Sequence, residues 1–169
     1  MVEWQFFPQT QSCPGHLVEL VAAFDSVNDS IDSANWEGQT SDEVLEKVRP
    51  ALEQIGYRVE RSKKKVDKIR VPVFFGRNGK SSRAFEADAL NEEHRTVVEV
   101  EAGRAVTNYQ FLKDLFQACV MQDVDYLVIA VRSDYRGLKD FETVCSFIET
   151  VYASDRIVLP LTGVLIVGY

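Results

Sequence analysis

The sequence predicts an α/β protein of the α+β kind, with a central mixed β-sheet flanked by helices. Apolar residues recur at helical spacing over 15–33, and short strand-like segments lie between 57 and 102. Two nearly continuous apolar stretches, 125–132 and 161–169, are typical of strands covered on both faces. No repeat or linker divides the chain, so we expect one domain over 1–169.

The helices are predicted from amphipathic spacing and end signals. The first covers 15–33, and a second begins near Ser41, a plausible N-cap, and stops at Gly56. Pro50 is expected to kink or divide this second helix. Later helical patterns cover 107–122 and 137–153.

Four strands are expected as a mostly antiparallel meander. "RNGK" at 77–80 and "NEEH" at 91–94 indicate short connections between neighbouring strands. The predicted strands are 57–61, 70–75, 83–90 and 95–102. The resulting order is α-α-β-β-β-β-α-β-α-β, which agrees with helices packed around a mixed sheet.

Charge is segregated along the chain, although the net charge is only -7. Residues 1–60 carry 3 basic and 11 acidic side chains, 61–83 carry 9 and 1, and 84–169 carry 7 and 14. Such a basic segment attracts phosphate locally, because salt screens exposed charges beyond about 8 to 10 Å. The alternative is a solvated loop that protects a strand edge. The nucleic-acid-binding candidates in this segment are Lys63, Lys64, Lys65, Lys68, Arg70, Arg77 and Lys80.

Two predicted strands each carry a pair of acids on one face. Alternation places Glu99 with Glu101 in "RTVVEVEA", and Glu86 with Asp88 in "RAFEADAL". If these strands are antiparallel neighbours, the carboxylates cluster and repel one another, and a hard divalent cation is the natural occupant. The alternative is an exposed face whose acids serve solubility.

"EADAL" followed by "VVEVEAG", then a helix and an apolar strand, resembles the PD-(D/E)xK nuclease superfamily. In this resemblance Asp88 is the first metal-binding acid, Glu99 is the second, and Glu101 stands where lysine usually stands. Restriction endonucleases of the BamHI and BglII type also replace that lysine. The resemblance covers about 41–132 and implies a restriction-endonuclease-like core, to which helix 15–33 and segment 137–169 are additions.

The resemblance implies a Mg²⁺- or Mn²⁺-dependent nuclease that hydrolyses phosphodiester bonds, with DNA as the expected substrate and a homodimer as one possible form. Asp88 and Glu99 would hold the cation, and Glu101 would accept a proton or complete a second metal site. Arg104 is the nearest candidate for the missing positive charge. Glu46, on the helix before the sheet, is the candidate for the additional acid that many members have.

Two other interpretations remain open at this stage. The chain could be a non-catalytic domain that keeps the nuclease fold and serves as an interaction module in a larger assembly. It could also be an unrelated α/β domain whose acids are all solvated. His16 and His94 are interpreted as separate surface or capping residues. The aromatics Phe74, Phe75, Tyr109 and Phe111 could stack on bases, but core packing is the expectation for each.

Cysteine usage and hydropathy indicate the compartment. Cys13, Cys119 and Cys145 are an odd number without metal-ligand spacing, which favours reduced thiols. No secretory leader opens the sequence, and no apolar stretch is long enough to span a bilayer. We therefore expect a soluble cytoplasmic protein with no membrane partner.

Overall fold

The structure is a computed structural model that describes residues 1–35, 38–62, 64–103, 105–134 and 137–169. Its strands are β1 (Glu3–Phe7), β2 (Arg58–Val59), β3 (Ile69–Phe75), β4 (Ser81–Ala87), β5 (Ala89–Asn91), β6 (Thr96–Glu101), β7 (Tyr126–Val131) and β8 (Gly163–Gly168). Its helices are α1 (Gly15–Asp25), α2 (Asn28–Ile31), α3 (Ser41–Gln54), α4 (Gln110–Val120) and α5 (Asp140–Ser154).

Six strands form the central sheet, in the order β1-β8-β7-β6-β5-β2. The middle strands β6, β7 and β8 are parallel, whereas β1 and β5 are antiparallel to their neighbours β8 and β6. The prediction of a mixed sheet flanked by helices is therefore confirmed. The segments β3 and β4 pair only with each other, as a two-stranded antiparallel unit that we call the hairpin arm (69–87).

The core lies on both faces of this sheet. In β7 the buried side chains of Val128 and Ala130 belong to the cluster that α1 and α3 cover. Leu127, Ile129 and Val131 belong to the cluster that α4 and α5 cover on the other face. Burial on both faces explains why β7 and β8 read as continuous apolar stretches.

Helix α3 shows how local sequence sets an element. Its N-cap is Thr40, one residue before the predicted Ser41, and a capping box joins Thr40 to Glu43 through bonds of 3.3 and 2.7 Å. The helix ends before Gly56, whose φ of 86° is left-handed, as predicted. Of the two expected effects of Pro50, a kink or a division, the structure excludes the division, because Ser41–Gln54 is one helix. The proline is exposed, so water can reach the carbonyl that loses its helical partner.

The predicted helix 15–33 is wrong in its length. The structure divides it into α1 and α2, with a non-helical Val27 between them. The Ser26 hydroxyl donates to the Ala23 carbonyl oxygen at 2.7 Å, and Ser30 donates to Val27 at 2.8 Å. Serine side chains that bond to the backbone compete with helix propagation, which explains the break.

Two strand boundaries also differ from the prediction. Strand β1 was missed because its character depends on pairing with β8, which no local pattern shows. The predicted strand 83–90 is divided at Asp88, because β4 pairs with β3 while β5 pairs with β6 and β2. Asp88 therefore lies where the chain passes from the hairpin arm into the central sheet.

Among the residues described, no helix is both long and apolar enough to cross a bilayer. Cys13, Cys119 and Cys145 are free and partly buried, as the sequence predicts for reduced thiols.

Candidate functional site

Asp88 is held beside β6 by the pairing of the two strands. The register aligns Ala89 with Val98, and the next position in this register places Asp88 beside Glu99. One Asp88 oxygen, Oδ2, accepts a hydrogen bond from the Val100 N–H at 2.8 Å. The expected antiparallel pairing is confirmed, and the first acid and the second acid of the resemblance are neighbours.

Glu99 and Glu101 share one face of β6, as alternation predicts. Val98 and Val100 point to the other face, into the core under α1 and α3. The acids therefore face the side that α4 covers, and both are partly buried rather than exposed. At the end of the strand the Tyr169 hydroxyl donates to the Glu101 carbonyl oxygen at 3.0 Å, which holds this end of β6 in place.

Helix α4 contributes a further carboxylate that the sequence analysis missed. Asp114 is only 3% exposed and lies on the buried stripe of α4, together with Phe111, Leu115 and Ala118. Burial raises its pKa to about 7, with a further contribution from the charge of Glu101. A hydrogen bond in which protonated Asp114 donates to Glu101 acts in the same direction. An acid on the apolar stripe of a helix is the signal that would have found it.

Glu99 has the most unfavourable surroundings of the group. Its pKa lies well above the ordinary value, first because of burial and then because Asp88 and Asp114 repel its charge. Glu101 raises the pKa further, and Lys113 opposes these effects. Four carboxyl groups thus share one region, and burial together with mutual repulsion disfavours the ionised form of Glu99.

Two lysines reach the same region. The Lys68 ammonium lies 2.9 Å from a carboxylate oxygen of Glu60 and 3.3 Å from one of Glu86. Burial lowers the Lys68 pKa, but the bonds to these two carboxylates outweigh burial and raise it overall. Lys113 is exposed on α4 next to Asp114. Lys68 was predicted only as part of the basic surface, and Glu60 and Lys113 were not predicted at all.

These side chains surround an open cleft of about 410 Å³, which we call the carboxylate cleft. Its walls come from β4, the β4–β5 junction, β6 and α4. The lining residues are Ser41, Glu60, Lys68, Ala84, Phe85, Glu86, Ala87, Asp88, Glu99, Val100, Glu101, Lys113, Asp114 and Gln117. The acids predicted on separate strands therefore meet in one concave site.

Glu46 is placed elsewhere. It is exposed on α3 and lines a neighbouring cavity with Arg49 and Arg61. Glu60 lines both this cavity and the carboxylate cleft, so the two spaces adjoin. Glu46 is therefore near the cleft but is not among the residues that line it.

The predicted basic residues fall into three groups. Lys68 lines the carboxylate cleft. Lys63 and Arg104 lie outside the described residues. The remaining candidates are exposed, and they are Lys64, Lys65, Arg70, Arg77 and Lys80.

The two histidines are not separate, contrary to the expectation. The rings of His16 and His94 stack with centroids 4.5 Å apart, and Tyr126 meets His16 edge-on at 5.0 Å. The pair forms because the start of α1 packs beside the β5–β6 connection, a contact that no sequence spacing shows. Neither histidine lines the carboxylate cleft.

The donor set of the cleft is that of a hard divalent cation. Within the described ranges, no group of three or more His, Cys, Asp or Glu side chains is arranged so that it could hold a metal ion as it stands. Mg²⁺, however, is commonly bound through one or two carboxylates and keeps several waters. Asp88 and Glu99 fit that mode, since they are adjacent oxygen donors that line the same open cleft.

The fold and the site together define an α/β protein with an acidic cleft at the junction of a central sheet and a projecting hairpin. In comparisons with known proteins, no family model, no curated protein and no solved structure matches the chain.

Proposed function

We propose that the protein is a divalent-metal-dependent nuclease that hydrolyses phosphodiester bonds in DNA. The observation that carries this proposal is the position of Glu99, partly buried in an open cleft beside Asp88, Asp114 and Glu101. Like charges that repel one another destabilise the free protein. Clusters of this kind are typical of sites that bind a cation or move a proton. The resemblance to the PD-(D/E)xK superfamily, on the same residues, supports the same function.

Asp88 and Glu99 are proposed to hold Mg²⁺ or Mn²⁺. The bond from the Val100 N–H orients the Asp88 carboxylate, and β6 fixes Glu99 beside it. A bound divalent cation supplies positive charge at the scissile phosphate and makes a water more acidic. The chain's own contribution is to place two oxygen donors at a fixed separation in a cleft open to a large substrate.

Glu101 is proposed as the group that accepts the proton of the attacking water. Its hydrogen bond with Asp114 keeps the carboxylate in one orientation, so Asp114 is a positioning residue. Lys113 is proposed to face the phosphate in place of the missing motif lysine. Lys68 offsets part of the negative charge of Glu60 and Glu86, which reduces the repulsion of an anion on this side of the cleft.

A cleavage assay tests the proposal. Purified protein, stripped with EDTA, is incubated with plasmid and with linear DNA in EDTA, Mg²⁺ or Mn²⁺. Wild type and Glu93→Gln, whose exposed carboxylate lies in the β5–β6 connection, should cleave only with metal. Glu99→Gln should remove cleavage while leaving the circular dichroism spectrum unchanged. Cleavage by Glu99→Gln at the wild-type rate would overturn the proposal.

The second candidate is the non-catalytic interaction module. It is favoured by one observation, the presence of Glu101 where the motif has lysine. Calorimetric titration of EDTA-stripped protein with Mn²⁺ separates the two. An intact site should release or absorb heat that Asp88→Asn abolishes, and a decayed site should give none for either protein.

A further inference from the structure

The hairpin arm is fixed at its base and exposed at its tip. Ile69, Val71 and Val73 are buried, and the Gln122 N–H donates to the Pro72 carbonyl oxygen at 2.8 Å, which ties β3 to the end of α4. Every residue from 74 to 83 is exposed. The arm is therefore a rigidly seated ribbon whose outer half is available to a partner.

Two phenylalanines stand at this exposed half. Phe74 is 62% exposed and Phe75 is 55% exposed, although a regular strand would turn one of two consecutive residues inward. The pairing with β4 shifts register between Pro72 and Phe74 and again between Phe74 and Phe75. Such bulges re-aim side chains, and here they leave both rings in solvent.

The surroundings of these rings are basic. Residues 69–85 contain four arginines and lysines and no acid. Three of the four, Arg77, Lys80 and Arg83, belong to the exposed half. Arg83 pairs across the ribbon with Phe74, and its guanidinium lies 5.7 Å from the centroid of the Phe85 ring. Aromatic faces interleaved with cations match a chain of bases and phosphates.

The arm leads directly into the carboxylate cleft. Phe85 and Ala87 of β4 line the cleft wall, and Asp88 follows them. The register that pairs Phe74 with Arg83 and Phe75 with Ser81 therefore places the phenylalanines beside the strand whose far end reaches the carboxylates. In this arrangement the rings would contact nucleotides that flank the bond to be cleaved.

We propose that the hairpin arm binds unpaired nucleotides by stacking bases on Phe74 and Phe75, so that the substrate class is single-stranded DNA or a duplex with an unpaired segment. This rests on the proposed function for the cleavage itself. Phenyl rings have no hydrogen-bonding groups, so they recognise the face of a base and not its edge. Base faces are accessible where nucleotides are unpaired and covered inside a duplex.

Binding without cleavage tests the arm separately from the reaction. Fluorescence polarisation in EDTA measures Kd for a labelled 20-nucleotide thymidine strand and for a blunt 20-base-pair duplex. The wild type should bind the single strand more tightly. The double variant Phe74→Ala, Phe75→Ala should weaken single-strand binding by about tenfold or more, and duplex binding much less.

Two further variants exclude trivial explanations. Phe116→Ala removes a ring that is 65% exposed on α4 and does not line the cleft, so it should leave both Kd values unchanged. Phe74→Trp, Phe75→Trp keeps aromatic faces and should retain binding, with indole fluorescence quenched when thymidine stacks. This rescue shows that an aromatic face is what binding requires, and an unchanged circular dichroism spectrum of the alanine variant excludes a folding defect.

Equal affinity of the wild type for single strand and duplex, or unchanged single-strand binding by the alanine variant, would overturn the arm proposal. No detectable binding to either DNA would overturn it as well. Metal-dependent cleavage, measured separately with Mg²⁺, then decides the proposed function. If single-strand binding responds to the variants as expected but no DNA is cleaved, the arm proposal is supported and the nuclease proposal is overturned.

Discussion

The carboxylate cleft is mainly acidic and the exposed half of the hairpin arm, residues 74–83, is basic, and the two regions also differ in burial. The cleft carries Glu99 and Asp114 in places where water is largely removed, and their pKa values rise. The arm carries Arg77 and Lys80 in full contact with solvent, where salt screens their repulsion. Repulsion between buried carboxylates costs stability in the free protein, whereas exposed charge costs little and reveals a role only through what it binds.

The sharpest test of this difference is Asp88→Asn. Without metal the change removes one repelling charge beside Glu99 and keeps an acceptor for the Val100 N–H, so it should be neutral or mildly stabilising. With Mn²⁺ at a hundredfold excess over Kd, the wild type should gain about 2.7 kcal/mol of unfolding free energy, and the variant should lose most of this gain and nearly all cleavage. Thermal melts in EDTA and in Mn²⁺ measure both effects.

Glu93→Gln is the matched control, because this exposed carboxylate should change neither melt. If wild type and Asp88→Asn melt alike in both conditions, no metal is held at Asp88, and the non-catalytic interpretation replaces the nuclease.

Glu101→Gln is expected to lower turnover by roughly 10² to 10⁴, the usual size of a general acid-base contribution, with the fold intact. Steady-state cleavage kinetics measure the turnover, and circular dichroism shows whether the fold is intact. Glu86→Gln, at an exposed position of the same cleft wall, should retain most activity. Glu101→Lys rebuilds the usual motif and should keep function. Wild-type turnover in Glu101→Gln would make Glu101 a bystander.

For the basic segment, Lys63, Lys64 and Lys65 changed together to Gln should weaken DNA binding and flatten its salt dependence. For each phosphate that these lysines neutralise, the slope should fall by up to about 0.9 log units on duplex and about 0.7 on a single strand. Titrations at several salt concentrations give the slope. Lys139→Gln, an exposed lysine before α5, is the control. An unchanged slope would assign the three lysines to solubility.

The most gradual expected effect is a pH dependence of stability from Asp114. The native state raises this pKa from 3.8 to about 7, so it binds the proton more tightly than the unfolded chain does. The stabilisation is present below about pH 4 and is lost as the pH rises toward 7. In EDTA, the unfolding free energy of the wild type relative to Asp114→Asn should therefore fall over this window, by a few kcal/mol at most.

Urea denaturation of both proteins between pH 4 and 8 measures this difference, because the effects of titrating groups that do not interact with Asp114 cancel between them. A difference that stays constant, or rises with pH, would show that Asp114 is not a buried, protonated acid.

The sequence pattern was sufficient to predict those secondary-structure elements that are set by neighbouring residues. The apolar stripe of α3 and the continuous apolar stretch of β7 predicted those elements, since side-chain period follows from backbone geometry. The same alternation placed Glu99 and Glu101 on one face correctly. It did not show that the segment 83–90 divides at Asp88, because alternation gives the faces of a strand but not the strand with which it pairs.

The sequence by itself determined the mixed α/β class, the short antiparallel connection between β5 and β6 and the segregation of charge. Only the tertiary structure brought Asp114, Lys113 and Lys68 to the two strand acids, and only it left Phe74 and Phe75 in solvent. The physical reason is the distance along the chain over which each effect operates, since periodicity and turn signals depend on only a few neighbouring residues. Burial and repulsion instead depend on which distant segments pack together, so they exist only once the sheet, α4 and the hairpin arm have assembled.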